Sequence, residues 1–145
     1  MLKSTFRLVS DVMTKDVVRV SEDQTLVNLL ESMHAKHFRH TPVTDDDRLV
    51  GLVTERDLLR ISSSSLLPHQ DGDEFLKRRF HVRDVMTKDV ATVSPATTLK
   101  QAGELMLQRR IGCLPVVDAK NVLVGIITTS DLLKVAISLL PDSAS

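Results

Sequence analysis

Asp11-Val12-Met13-Thr14-Lys15-Asp16-Val17 returns unchanged as Asp84-Val85-Met86-Thr87-Lys88-Asp89-Val90. The later run Gly51-Leu52-Val53-Thr54-Glu55-Arg56-Asp57-Leu58-Leu59 returns as Gly125-Ile126-Ile127-Thr128-Thr129-Ser130-Asp131-Leu132-Leu133. Between these fixed ends Val20-Ser21 matches Val93-Ser94, Thr25-Leu26 matches Thr98-Leu99, and Pro42-Val43 matches Pro115-Val116. Residues 11–61 therefore align with 84–135, with one extra residue after Asp118, and close to half of the aligned positions are identical. Self-similarity of this kind marks a duplicated supersecondary unit. The chain accordingly divides into an N-terminal segment (1–10), a first repeat (11–61), a linker (62–83), a second repeat (84–137) and a tail (138–145).

Apolar spacing gives each repeat its elements. Val17, Val18 and Val20 are a β-branched cluster that predicts a short strand over 17–20. Leu26, Leu29, Leu30 and Met33 recur at i, i+3, i+4 and i+7, one face of a helix over about 25–37; Leu99, Ala102, Gly103 and Met106 keep that face in the second repeat. Thr41-Pro42-Val43 reads as a strand whose proline needs an edge or first-residue position, because it brings no N–H to a ladder. Asp45-Asp46-Asp47 supplies a turn, 49–53 an apolar strand and 55–61 a second helix. The order is β-α-β-β-α, twice over, a mixed α/β (α+β) class. The linker opens with four serines, and its Lys77-Arg78-Arg79 cluster reads as a solvated helix face before a phosphate patch.

Bulk properties narrow the function classes. A chain of 145 residues can bury about 68–70% of its extended surface, enough for a core without disulfides or metals. Lys plus Arg balance Asp plus Glu at 19 each, so no global positive field draws a phosphate backbone. Without Trp or Tyr, base-stacking platforms are missing as well, and nucleic acid ranks last among the partners. Cys113 has no second cysteine to pair with, and a free thiol suits a reducing, cytoplasmic compartment. No apolar block of signal-peptide or membrane-spanning length occurs.

The opening M-T-x-x-V (Met13, Thr14, Val17; Met86, Thr87, Val90), the Pro-Val strand and the closing G-x-x-T-x-x-D-L-L, in order and twice, resemble a CBS domain. The duplicated arrangement resembles a CBS pair, or Bateman module. That resemblance implies two motifs packed as one pseudo-twofold unit, with clefts between the copies for AMP, ADP or ATP, then S-adenosylmethionine or NAD. It implies a regulatory module and not an enzyme, often a homodimer through its helices, with no required cofactor and a regulated partner the sequence does not name. Ribose and phosphate contacts map onto Thr54, Asp57, Thr128 and Asp131, with Thr14 and Thr87 from the opening segments. The adenine slot maps onto Val17, Val18 and Pro42 in the first repeat and onto Val90, Ala91 and Pro115 in the second.

The chemistry of the closing run agrees with that implication. A phosphorylated ribose needs an acceptor for two vicinal hydroxyls and donors for the phosphate. Gly51 permits a close approach or an unusual backbone angle. Thr54 stands where a strand gives way to a helix, beside free first-turn amides, Asp57 offers two carboxylate oxygens, and Arg56 offers a phosphate fork. Thr-x-x-Asp is also nearly a capping box, which needs no ligand. Both readings stay open at this point.

The repeats differ most just before the Pro-Val strand. Arg39-His40 faces Gly112-Cys113 across the alignment, and Arg56 faces Ser130. Basic residues at these places meet phosphates in phosphate-binding members of the family, so Arg39 and His40 join the candidate ligand contacts and the two sites are expected to be unequal. The alternative is an exposed Arg and His after a helix C-terminus, which favours cations. His34, His37 and His40 lie at i, i+3 and i+6, but closed zinc sites usually take four ligands, and no metal is assigned. Cys113 at the start of an apolar strand reads as a small hydrophobe and not a nucleophile. The Asp45-Asp46-Asp47-Arg48 run lacks the glycine and distal glutamate of a calcium loop. No catalytic triad, Walker loop or dinucleotide glycine fingerprint is present, so no catalytic residue is assigned. The rival to a nucleotide sensor is a ligand-free dimerisation or partner-docking scaffold.

Overall fold

The computed structural model describes residues 6–36, 39–62 and 79–143. In chain order they form α1 (Val9–Val12), α2 (Leu26–Lys36), β1 (His40–Asp45), β2 (Arg48–Thr54), α3 (Glu55–Ser62), α4 (Val82–Val85), α5 (Leu99–Arg109), β3 (Cys113–Val117), β4 (Leu123–Thr128) and α6 (Thr129–Leu139). Basic residues 77 and 78 and His37 fall outside the described residues.

Each repeat centres on an antiparallel hairpin, β1 with β2 and β3 with β4. The first turn is tight because Asp46 and Asp47 both take left-handed backbone, with φ of 52° and 68°. That is the geometry of a two-residue hairpin turn whose twist matches the strands, and aspartate tolerates it better than most residues. The second turn, one residue longer, is organised by Asp118, whose Oδ1 accepts from the N–H groups of Lys120 and Val122.

The strand expected over 17–20 shrinks to one residue. Val20 makes a single parallel bridge to Val43, donating to the Pro42 carbonyl at 3.1 Å and accepting from Thr44 at 2.9 Å. Val93 repeats this with Pro115 and Val117. Because the Pro42 carbonyl points away from β2, its nitrogen does too, and the missing N–H costs the hairpin nothing. The proline thus sits inside a strand at a position that makes no ladder bond to β2.

By their internal contacts, residues 18–90 form one compact unit, and residues up to 17 join 91 onward in the other. The opening motif of each repeat therefore folds with the hairpin of the other repeat, and its residues have plain structural duties. Asp11 Oδ2 accepts from the N–H groups of Leu8 and Arg7, and Asp84 Oδ2 from that of His81, so each caps a one-turn helix. Val9 and Val82, the first residues of those helices, are fully buried. Thr14 exchanges both backbone bonds with Ile126, and Thr87 both with Leu52. Met13 and Met86 fill the space over Gly125 and Gly51, where an added Cβ would come within 2.6 Å of either sulfur. The glycines are required by close approach, and neither has positive φ.

The core of the 18–90 unit holds Leu26, Leu29, Met33, Val43, Val53 and Leu58, with Val82 from α4. Its counterpart holds Ala102, Met106, Leu114, Val116 and Ile127, with Val9 from α1. At one aligned pair a hydroxyl stands where the other core has hydrocarbon. Thr41 is fully buried and its Oγ1 has no hydrogen-bond partner among the described residues, whereas its counterpart is Leu114. An unsatisfied buried hydroxyl costs about 1–3 kcal/mol. Thr41→Val should therefore raise stability by about 1 kcal/mol in urea unfolding, while Thr41→Ser, which keeps the hydroxyl, should not.

Candidate functional site

Strand register brings the candidate residues to one corner in each unit. His40 pairs with Thr54, and Cys113 pairs with Thr128, at the strand ends where α3 and α6 begin. Asp57 Oδ2 accepts from the Thr54 N–H at 2.9 Å and from its hydroxyl at 3.1 Å, and the Thr54 oxygen accepts from the Asp57 N–H at 3.3 Å. Thr128 and Asp131 repeat the arrangement at 2.9, 3.2 and 3.4 Å. The capping-box reading of Thr-x-x-Asp is thus realised in both repeats, satisfying amides that a helix start leaves over. Both boxes use Oδ2 alone. The Oδ1 of Asp57 and of Asp131 takes no part, and both aspartates are only half-buried.

Around this shared corner the charges diverge. Arg39 Nε lies 3.6 Å from Glu55 Oε2, and both side chains are exposed. His40, half-buried, is held below the usual imidazole range by burial and then by the Arg39 guanidinium, against an opposing pull from Glu55. At neutral pH it is therefore an uncharged ring offering one N–H. In the other unit Cys113 is buried, and its thiol is pushed up to about 12, first by burial and then by the Asp131 carboxylate. Such a thiol supplies neither charge nor nucleophile.

The remaining candidates fall out by unit, not by repeat. Val18, Thr87 and Val90 belong with Arg39, His40, Pro42, Thr54, Arg56 and Asp57, whereas Thr14, Val17 and Ala91 belong with Pro115, Thr128 and Asp131. Val17 and Val18, grouped together from the sequence, go to different units, as do Val90 and Ala91. Arg56, Thr14 and Thr87 are exposed, while Pro42 and Pro115 are fully buried with their carbonyls engaged by Val20 and Val93. Glu55 was not among the sequence candidates. The signal that finds it is the backbone bond from its N–H to the Arg39 carbonyl at 2.9 Å, which only strand pairing reveals. Among the described residues no group of three or more His, Cys, Asp or Glu stands together as a metal site, and no helix is long and apolar enough to cross a membrane.

Comparison with known proteins is consistent with this arrangement. The CBS domain family matches residues 9–64 and again 82–138. A CBS domain-containing protein of Dictyostelium discoideum is 36% identical over 135 residues, covering 92% of this chain and 93% of the relative. Among solved structures, a Vibrio cholerae protein assigned to acetoin utilization is 39% identical with a TM-score of 0.75, covering 92% of this chain and 93% of that one. The protein CBSX2, solved in complex with AMP, is 29% identical with a TM-score of 0.79, covering 92% of this chain and 99% of that one. Two family matches in tandem, on the repeats that supply the two Thr-Asp corners, place this chain in the CBS domain family as a CBS pair.

Proposed function

We propose that this CBS pair is a non-enzymatic regulatory sensor that binds an adenine nucleotide, AMP, ADP or ATP, at the Thr54–Asp57 and Thr128–Asp131 corners. The observation that carries the reading is the Oδ1 of each aspartate, which takes no hydrogen bond among the described residues and lies beside a helix N-terminus. Helix capping needs one carboxylate oxygen, and a ribose with two vicinal hydroxyls suits the other. The related CBSX2, solved with AMP, supports the same ligand class. Affinity at metabolite concentrations requires only about −8 to −4 kcal/mol, which a few hydrogen bonds and an apolar slot can supply. The signal would pass on as a shift between conformations with different ligand affinity.

Output requires a surface as well as a site. α6 has no buried residue, and Leu133, Ile137, Leu139 and Leu140 are all at least 58% exposed. A homodimer through this face is the arrangement we favour, in the cytoplasm, where a buried free thiol is safe. The same face also suits a ligand-free docking scaffold, the one competing reading. Thermal unfolding separates them. At a hundredfold excess over Kd, one of AMP, ADP, ATP, NAD or S-adenosylmethionine should stabilise the sensor by about 2.7 kcal/mol, or roughly 5–10 °C. A scaffold should respond to none, and light scattering on the same sample should read two chains.

A further inference from the structure

The Thr54–Asp57 corner carries a charged contact that its counterpart lacks. Arg39 and Glu55 approach to 3.6 Å through their side chains, while the Glu55 N–H donates to the Arg39 carbonyl. The aligned residues in the other repeat, Gly112 and Thr129, keep the same backbone bond at 3.0 Å and carry neither charge. On one backbone arrangement, cation and anion are present together or absent together. A helix start welcomes an acid in its first turn, but α6 already has one in Asp131, as α3 has in Asp57. Glu55 is therefore an additional acid, and it stands beside Arg39, the cation that the nucleotide reading assigns to a phosphate.

Resting on the nucleotide reading, we infer that Glu55 is a specificity-determining counterion, which holds Arg39 in the free protein and must be displaced before a ligand phosphate can take the guanidinium. An exposed ion pair is weak, and a phosphate offering a charge-assisted fork can replace the carboxylate. The penalty falls only on ligands that bring negative charge to Arg39. Adenosine, with no phosphate, does not meet it. Glu55 thus tempers the preference of this corner for phosphorylated over unphosphorylated adenosyl ligands, and the Gly112–Thr129 corner has no such control.

Isothermal titration of the full chain with AMP and with adenosine, fitted for two sites, tests this. Glu55→Gln should tighten AMP at the affected site by about two- to fivefold at low ionic strength, with the gain shrinking as salt screens it. Adenosine affinity should not change. Arg39→Ala should weaken AMP, and adding Glu55→Gln to it should gain clearly less than in the native chain, because no guanidinium remains to be released. An acid that served only the helix would move both ligands together or neither. That equal response, or an undiminished gain beside Arg39→Ala, overturns the inference while leaving the sensor intact. A native chain that binds neither ligand overturns both.

Discussion

Replacing Gly51 with valine should destabilise the protein by about 3 kcal/mol, near the upper end for overpacking a well-filled core. Even one added Cβ would stand 2.6 Å from Met86 Sδ and 3.0 Å from the Thr87 carbonyl oxygen. The thioether can swing aside, because methionine is the most adaptable of core side chains. The carbonyl cannot, because Thr87 exchanges both backbone bonds with Leu52. Gly51→Ala should therefore be milder than Gly51→Val, and Met86→Ala should relieve only part of its cost, leaving a measurable coupling in a double-mutant cycle. Gly125, facing Met13 and the Thr14 carbonyl at the same distances, should behave alike. Urea unfolding reads all of these. A Gly51→Val protein as stable as the native chain would show that the opening segment is not held against β2 as described.

Asp57→Ala should cut nucleotide affinity at its corner by about 10- to 100-fold, the cost of losing hydrogen bonds to a charged acceptor. It should also remove the cap on α3, lowering stability by about 0.5–2 kcal/mol. Asp57→Asn separates these roles. Its amide oxygen can still accept from Thr54, so most of the cap survives, but the neutral amide is a poor acceptor for a ribose diol. Near-native stability in urea unfolding, with affinity in titration as low as that of Asp57→Ala, is the expected pattern for Asp57→Asn. Native affinity in Asp57→Ala would reduce the Thr-Asp corner to a helix cap. Asp131→Ala should act in the same way on the other corner.

How much of this was legible in the sequence depended on whether the signal was local. The helix face of Leu26, Leu29 and Met33, the turn at Asp46-Asp47 and the capping spacing of Thr54 with Asp57 are all short-range, and the structure has each of them. The strand expected over 17–20 failed because β-branched residues signal extended backbone, not a partner, and Val20 finds only one bridge. The grouping of Val17 with Val18 followed the boundaries of the repeat, whereas the spatial units divide between those two residues. Nothing in a single sequence reports that exchange, because the two opening motifs are identical and either would serve either hairpin. The Arg39–Glu55 pair was hidden for a related reason: it depends on the register of β1 with β2.

The exchange of opening segments also orders events during synthesis. The unit of residues 18–90 has all its parts as soon as Val90 has left the ribosome. The residues before it do not: Val9 and Met13 belong to a core that includes Ile127, and Thr14 has no ladder partner until Ile126 emerges. Val9 and Met13 must wait, uncovered, until Ile126 and Ile127 follow them, and closing so long a stretch of chain is the slow kind of folding step. The interval in which the nascent chain most needs shelter is thus set by the fold itself.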